Sequence, residues 1–180
     1  MFNFSPFPYI STEGLELREI QVADAPLIHA LRSDEATNVL INRKNSEGIE
    51  DALAFIDIIQ KNVAQNESTY WIICLKDSPD LIGTICYYNL DPAGETGEIG
   101  YELLTEYRGQ GIMSELLPRI VQYGFDEMKL KTITAFPSEQ NIGSVRLLEK
   151  CGFRLSSSKY DNTHEHVPGM LTYLLDRPVG

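Results

Sequence analysis

The chain has 180 residues, of which 43% are hydrophobic and 23% charged. That is ordinary globular usage and excludes a disordered, collagenous or disulfide-stapled chain. Fifteen Lys and Arg stand against 26 Asp and Glu, a formal net charge of −11. This disfavours nucleic acid as a direct partner, because phosphate binding needs surplus cations, and it is compatible with a cationic acceptor such as an amine.

Residues 1–10, MFNFSPFPYI, hold no Lys or Arg and two prolines, so they do not read as a secretory leader. No apolar run reaches the ~18 residues of a membrane span, so no membrane partner is expected and the expected compartment is the cytoplasm. Cys74, Cys86 and Cys151 are odd in number, widely spaced and set in apolar surroundings, so they read as buried thiols. His164 and His166 lack a cysteine pair beside them and read as turn residues, so no metal is expected.

Residues 1–14 read as an N-terminal arm and 15–180 as one domain. Leu15–Ile20 alternates and predicts a strand. Asp24 as a cap and Pro26 in the first turn predict a short helix through Leu27, Ile28 and Leu31. Ile49, Leu53, Ile56, Ile59 and Val63 fall at helical spacing and predict a helix over 49–64. Strands follow at 70–75, 81–88 and 95–103, separated by the turns Asp77-Ser78-Pro79-Asp80 and Asp91-Pro92-Ala93-Gly94, which is the pattern of an antiparallel meander. Gly109-Gln110-Gly111 opens a helix with Ile112, Met113, Leu116, Leu117 and Ile120 on its apolar side. Pro118 inside it should shift or kink the first turns. A strand at 131–136, a helix at 141–150 ended by Gly152, and strands at 153–160 and 168–176 complete the order. The expected fold is a mixed α/β (α+β), mostly antiparallel sheet of about six to seven strands flanked by about four helices, neither doubly wound nor a bundle.

Tyr107-Arg108-Gly109-Gln110-Gly111-Ile112-Met113 joins a strand end to a helix start through glycines. Such a turn lets backbone amides and the positive helix end meet an anion, with pyrophosphate as the natural guest; a plain connecting turn is the alternative. A phosphate loop would need Lys here, and a dinucleotide turn would need glycine where Ser114 stands.

At these residues the chain resembles the GNAT N-acetyltransferases. Gly97-Glu98-Ile99-Gly100-Tyr101-Glu102-Leu103 followed by Arg108-Gly109-Gln110-Gly111 is similar to their fourth strand and their Gln/Arg-x-x-Gly-x-Gly/Ala motif. Its glycines fall on Gly109 and Gly111, and Glu106 stands at its first position in place of Gln or Arg. Asn141-Ile142-Gly143-Ser144, continuing to Glu149-Lys150-Cys151-Gly152-Phe153, resembles the Asn-x-x-Ser…Glu-Lys-x-Gly-Phe helix of the RimJ/RimL-like, ribosomal-protein N-acetyltransferase-like branch.

The resemblance implies a sheet splayed between the fourth and fifth strands, 95–103 and 131–136, with acetyl-CoA as co-substrate in the splay. It implies that the backbone of Arg108, Gly109, Gln110, Gly111, Ile112 and Met113 holds the pyrophosphate, helped by the Arg108 side chain. The backbone from Tyr101 to Leu103, with Leu104 beside it, would pair with the pantetheine arm. Asn141 would reach the pantetheine or the thioester, close to Ser144, while also capping its helix. An amine attacks the thioester carbonyl, which calls for an oxyanion donor, a proton for the thiolate and a base. The donor is expected to be an amide near Leu103, at a strand bulge. Leu148 stands where the superfamily often has tyrosine, so Ser144 is the candidate acid and Tyr101 the next. Glu98 is the preferred base and Glu102 the other; residues 135–137 hold no carboxylate. An α-amine, with a pKa near ~8 against ~10.4 for lysine, would need little help from a base, which tilts the expected acceptor toward a protein N-terminus. A polyamine, amino sugar or antibiotic, or a module that binds acyl-CoA without turnover, are the alternatives. The acceptor side is expected around 24–48 and 155–170, and the chain to be a monomer or homodimer.

Overall fold

The computed structural model describes residues 1–93, 95–157 and 167–179. Ile10–Ser11 (β1), Leu15–Glu19 (β2), Thr69–Leu75 (β3), Leu81–Asp91 (β4), Thr96–Leu103 (β5), Thr132–Ala135 (β6), Arg154–Leu155 (β7) and Tyr173–Asp176 (β8) form one sheet in the order β1-β2-β3-β4-β5-β6-β8-β7. The helices are Ala25–Arg32 (α1), Glu35–Leu40 (α2), Ile49–Ala64 (α3), Ile112–Asp126 (α4) and Ile142–Lys150 (α5). Among the described residues there are thus eight strands and five α-helices, one strand and one helix beyond expectation. The added strand is β1, inside the arm. The added helix is α2, capped by Asp34 accepting from the Thr37 amide; its one buried residue is the polar Asn38, so no apolar periodicity marks it. The last two strands are shorter than expected, and residues 158–166, with His164 and His166, lie outside the described residues.

The meander fixes which residues share a face. The pairings Tyr70↔Cys86, Thr84↔Glu102 and Tyr88↔Glu98 put these side chains on one side of the sheet, beneath α1 and α3, where Phe55 meets the Tyr70 ring edge-on at 5.8 Å. Trp71, Ile85, Tyr87, Ile99 and Tyr101 share the other side, where Trp71 packs on Tyr123 of α4 at 5.3 Å and the Tyr87 hydroxyl donates to the Ile120 carbonyl at 3.0 Å. The arm joins this second face: Phe4 is buried, the Trp71 indole donates to the Pro8 carbonyl at 2.6 Å, and Glu115 accepts from the Thr12 hydroxyl and the Gly14 amide. Helix α4 runs on across Pro118. Proline denies the Ser114 carbonyl its amide partner, and both residues are exposed, so water can serve that carbonyl.

Strand β5 pairs with β4 from Thr96 to Leu103, skipping only Gly97. Its parallel pairing with β6 covers only Thr96↔Thr132, Gly97↔Ile133 and Glu98↔Thr134. Strand β6 ends at Ala135, two residues before Pro137, which has no amide to continue a ladder. The sheet therefore opens between these strands, as expected for 95–103 and 131–136.

Gly83 sets how closely β4 approaches β5 at the mouth of this opening. A Cβ there would press on the Glu102 carbonyl oxygen and lie 2.6 Å from Leu103 Cδ2, with little room to yield. Gly83→Ala is expected to lower unfolding stability by ~1–3 kcal/mol, read as a lower denaturant midpoint with unchanged slope. A wild-type midpoint would mean that this approach constrains nothing.

Candidate active site

The opening holds a cavity of about 480 Å³ that passes through the sheet. Its lining includes Arg32, Phe55, Tyr70 and Glu98 on the α1/α3 side and Tyr101 and Ser144 toward α5. One strand, β5, supplies both sides because successive residues point to opposite faces.

The backbone of β5 is also oriented toward the opening. The Leu104 amide donates to the Ile82 carbonyl at 2.9 Å, which fixes the phase of the β4–β5 ladder. By the alternation of an antiparallel pair, the N–H and C=O of Tyr101 and the N–H of Leu103 then turn away from β4, where β6 no longer pairs with them. This regular ladder replaces the bulge expected near Leu103; the irregular steps are at Ile73/Cys74 and Tyr88/Asp91. Leu104 does not share the orientation, contrary to expectation. Its amide serves Ile82 and its carbonyl accepts from the Tyr107 amide at 3.0 Å, so both groups are used within the protein.

At the end of β5 the chain turns into α4. Gly109 and Gly111 adopt φ of 72° and 81°, the left-handed region where a side chain is strained, and neither has an atom within 4 Å of a would-be Cβ. Backbone conformation, not packing, therefore requires glycine at both positions. The first amide bonded into α4 is that of Glu115, to the Gly111 carbonyl at 3.0 Å. The amides of Gly109, Gln110, Gly111, Ile112, Met113 and Ser114 have no bonded partner among the described residues. Unpaired amides at a positive helix end form a cradle for an anion. The Arg108 side chain points elsewhere than expected. It donates to the Leu103 carbonyl at 3.1 Å and to Thr37 at 3.2 Å, and it pairs with Asp34 at 2.5 Å, which ties this turn to α2. Burial opposes ionisation of Asp34, but the bonds from Arg108 and Thr37 win and hold its pKa below the usual value.

On the α5 side, the Asn141 side-chain oxygen Oδ1 accepts from the Ser144 amide at 3.1 Å, so Asn141 caps the helix as its residue type suggests. This fixes Ser144, whose hydroxyl lies 2.8 Å from that of Tyr101. Burial pushes the Tyr101 phenol up to about 12, although the bond to Ser144 works the other way. At neutral pH the pair therefore keeps both protons, and Tyr101 can donate into Ser144.

On the opposite side, Glu98 is 3% exposed and accepts from Tyr88 and, at 2.7 Å, from Asn89. Burial and the adjacent carboxylate push the Tyr88 phenol far up, so it remains a donor at any working pH. Glu102 is held differently: both its oxygens accept from Arg43, each at 2.8 Å, and Arg43 also bonds the Asn38 side chain at 2.5 Å. Sequence reasoning brings Glu98 and Glu102 to one face correctly but misses Tyr88, Asn89, Arg43 and Arg32. Strand alternation points to Tyr88, the cross-strand neighbour of Glu98, once the meander register is known. No local pattern points to the two arginines.

Residues 14–154 match the family model described as an acetyltransferase (GNAT) domain. A Bacillus subtilis (strain 168) protein named as an uncharacterized N-acetyltransferase, YoaA, is 34% identical over 148 residues, covering 82% of this chain and 84% of its own. The structure of a putative ribosomal-protein-serine acetyltransferase from Vibrio cholerae superposes with a TM-score of 0.80 at 19% identity, over 96% of this chain and 99% of that one. RimL, a ribosomal L7/L12 alpha-N-protein acetyltransferase solved in complex with coenzyme A, gives 0.78 at 17% identity, over 94% and 98%. Among the described residues, no group of three or more His, Cys, Asp and Glu side chains is placed to hold a metal ion, and no helix is long and apolar enough to cross a membrane. A glycine cradle at a helix start, a sheet opened beside it, and a family match over residues 14–154 together make this chain a member of the GNAT acetyltransferase family, an N-acetyltransferase.

Proposed function

We propose that this protein moves an acetyl group from acetyl-CoA directly to a primary amine, with the thioester lying across the opening between β5 and β6. The observation that carries this reading is the division of the cavity by the sheet: a carboxylate stands on one side and a hydroxyl pair on the other. The unpaired amides from Gly109 to Ser114 suit the pyrophosphate. The outward N–H and C=O of Tyr101 suit the pantetheine amides, which would pair with them as a strand would, and leave the Leu103 N–H for the thioester carbonyl. That RimL binds coenzyme A on the same fold agrees with this placement.

In this reading the acceptor amine approaches from the α1/α3 side and Glu98 takes its proton, directly or through water. Tyr88 and Asn89, both neutral donors, hold the Glu98 carboxylate in one orientation, whereas Glu102 is ion-paired with the Arg43 guanidinium, a pairing that taking up a proton would forfeit, which makes it a structural group. The amine nitrogen bonds to the acetyl carbon, the Leu103 amide faces the developing oxyanion, and the carbon–sulfur bond breaks. The departing thiolate takes its proton from Ser144, which is resupplied by Tyr101. The absence of tyrosine at Leu148 is thus offset by a tyrosine that reaches the same region from β5.

Ser144→Ala is expected to lower kcat by roughly 10²-fold with little change in the KM for acetyl-CoA, and Tyr101→Phe by a smaller factor, in an assay of thiol release. Unchanged kcat in both variants would remove the hydroxyl pair from the mechanism.

The pH profile is a separate test. Tyr101 titrates upward of neutrality, near 12, so its proton-donating form persists below that value. With an α-amine acceptor, kcat/KM is expected to rise as the amine loses its proton and to stay level to about pH 10, where an acid of ordinary thiol pKa would already have failed. A falling limb between about pH 8 and 9.5 would exclude Tyr101 as the proton source.

A further inference from the structure

Arg32 ends α1 and lines the acceptor side of the cavity, with its guanidinium carbon 3.9 Å from the centre of the Phe55 ring. Among the described residues that guanidinium has no carboxylate within ion-pair range and donates no hydrogen bond. Every other charged side chain lining the cavity is engaged: Arg43 with Glu102, and Glu98 with Tyr88 and Asn89. Among the described residues, Arg32 is thus the one charged side chain of this cavity with neither an ion pair nor a hydrogen bond to hold it. Burial, then the nearby Arg43, disfavour charge on Arg32, and Tyr70 and Glu102 offset this only in part.

A second observation comes from Ser68, just before β3. It is 7% exposed and lines the same cavity, and its buried hydroxyl has no hydrogen-bond partner among the described residues. Orphaned buried polar atoms are rare in folded proteins and call for a partner. An unmatched guanidinium and an unmatched hydroxyl in one cavity share one kind of complement, an oxygen acceptor bearing negative charge.

We propose that Arg32 and Ser68 form an oxyanion-binding subsite on the acceptor side, so that the acceptor is an amine that also carries a carboxylate or phosphate, as a free amino acid or a phosphorylated amine does. A polyamine would bring further positive charge to Arg32, and a peptide N-terminus without an acidic group would leave the subsite empty. The proposal rests on the acetyl-transfer reading above, but its binding test does not.

The test uses the full chain with bound CoA or acetyl-CoA, as wild type, Arg32→Met and Arg32→Lys. Thiol release is compared for a panel of common α-amino acids against their α-amides, and for phosphoethanolamine against ethanolamine. In parallel, calorimetry measures N-acetyl amino acids against N-acetyl amino acid amides on the CoA-loaded protein. The anionic member of the preferred pair is expected to be favoured ~10- to 100-fold by the wild type. That preference should collapse through KM in Arg32→Met and return in part in Arg32→Lys. Whichever pair shows the effect identifies the anion as carboxylate or phosphate. Equal use and equal binding of anionic and neutral members, or the same preference in Arg32→Met, overturns the proposal. Arg32-dependent anion binding without thiol release from any amine would sustain the subsite and overturn the acetyl-transfer reading alone.

Discussion

The structure turns on the point where β5 loses β6. A backbone amide or carbonyl removed from water needs a partner, and leaving one unmade costs ~1–3 kcal/mol. Past Glu98, β5 keeps β4 on one edge and among the described residues pairs with no strand on the other, because β6 ends at Ala135. The groups at Tyr101 and Leu103 are thereby left to a ligand that can behave as a strand. The same opening makes room for the cavity and places the start of α4 at its end. The proposed cofactor groove, acceptor cavity and anion cradle all border this one broken ladder.

Strand alternation then distributes the chemistry. Glu98, Gly100 and Glu102 face α1 and α3, while Ile99, Tyr101 and Leu103 face α4 and α5. In the proposed mechanism the base and the acid serve the same transfer without neutralising one another, because a sheet lies between them. Glu102 shows that facing the cavity is not enough for a chemical role. Its bidentate pairing with Arg43, itself bonded to Asn38 and to the Leu31 carbonyl, fastens the α1–α2 segment onto β5. Removing one partner of such a half-buried pair strands the other, so its value is in placing the acceptor wall.

Much of this was legible from the chain because its causes are local. The meander strands, α3, α4 and α5 follow from apolar spacing and turn residues, and the two glycines are dictated by φ within a few residues of the turn. Asn141 and Ser144 sit three apart, so cap and hydroxyl are one local unit. What was not legible depends on long separations or on elements with no apolar stripe. Helix α2 buries an asparagine; Arg43 and Glu102 are 59 residues apart. The side chain of Arg108 is the instructive case. Its neighbourhood in sequence reads as an anion site, but its partner Asp34 comes from 74 residues earlier, and the ion pair turns the side chain away from the glycine turn.

That ion pair also bears on how the two halves of the site are held together. Arg108 is 40% exposed and Asp34 18%, and pairs this open to solvent add little to stability. Its contribution is geometric. Through Asp34 and Thr37 the guanidinium holds α2 of the acceptor wall, and through the Leu103 carbonyl it holds the end of β5, while its own backbone enters the glycine turn. A lysine carries its donors on one nitrogen, whereas the planar fork of arginine spreads them so that Nε reaches the Leu103 carbonyl while another nitrogen reaches Asp34 and Thr37. The cofactor cradle and the acceptor wall, separate in sequence and on different elements, are thus registered to the edge of the strand whose unpaired backbone lies between them.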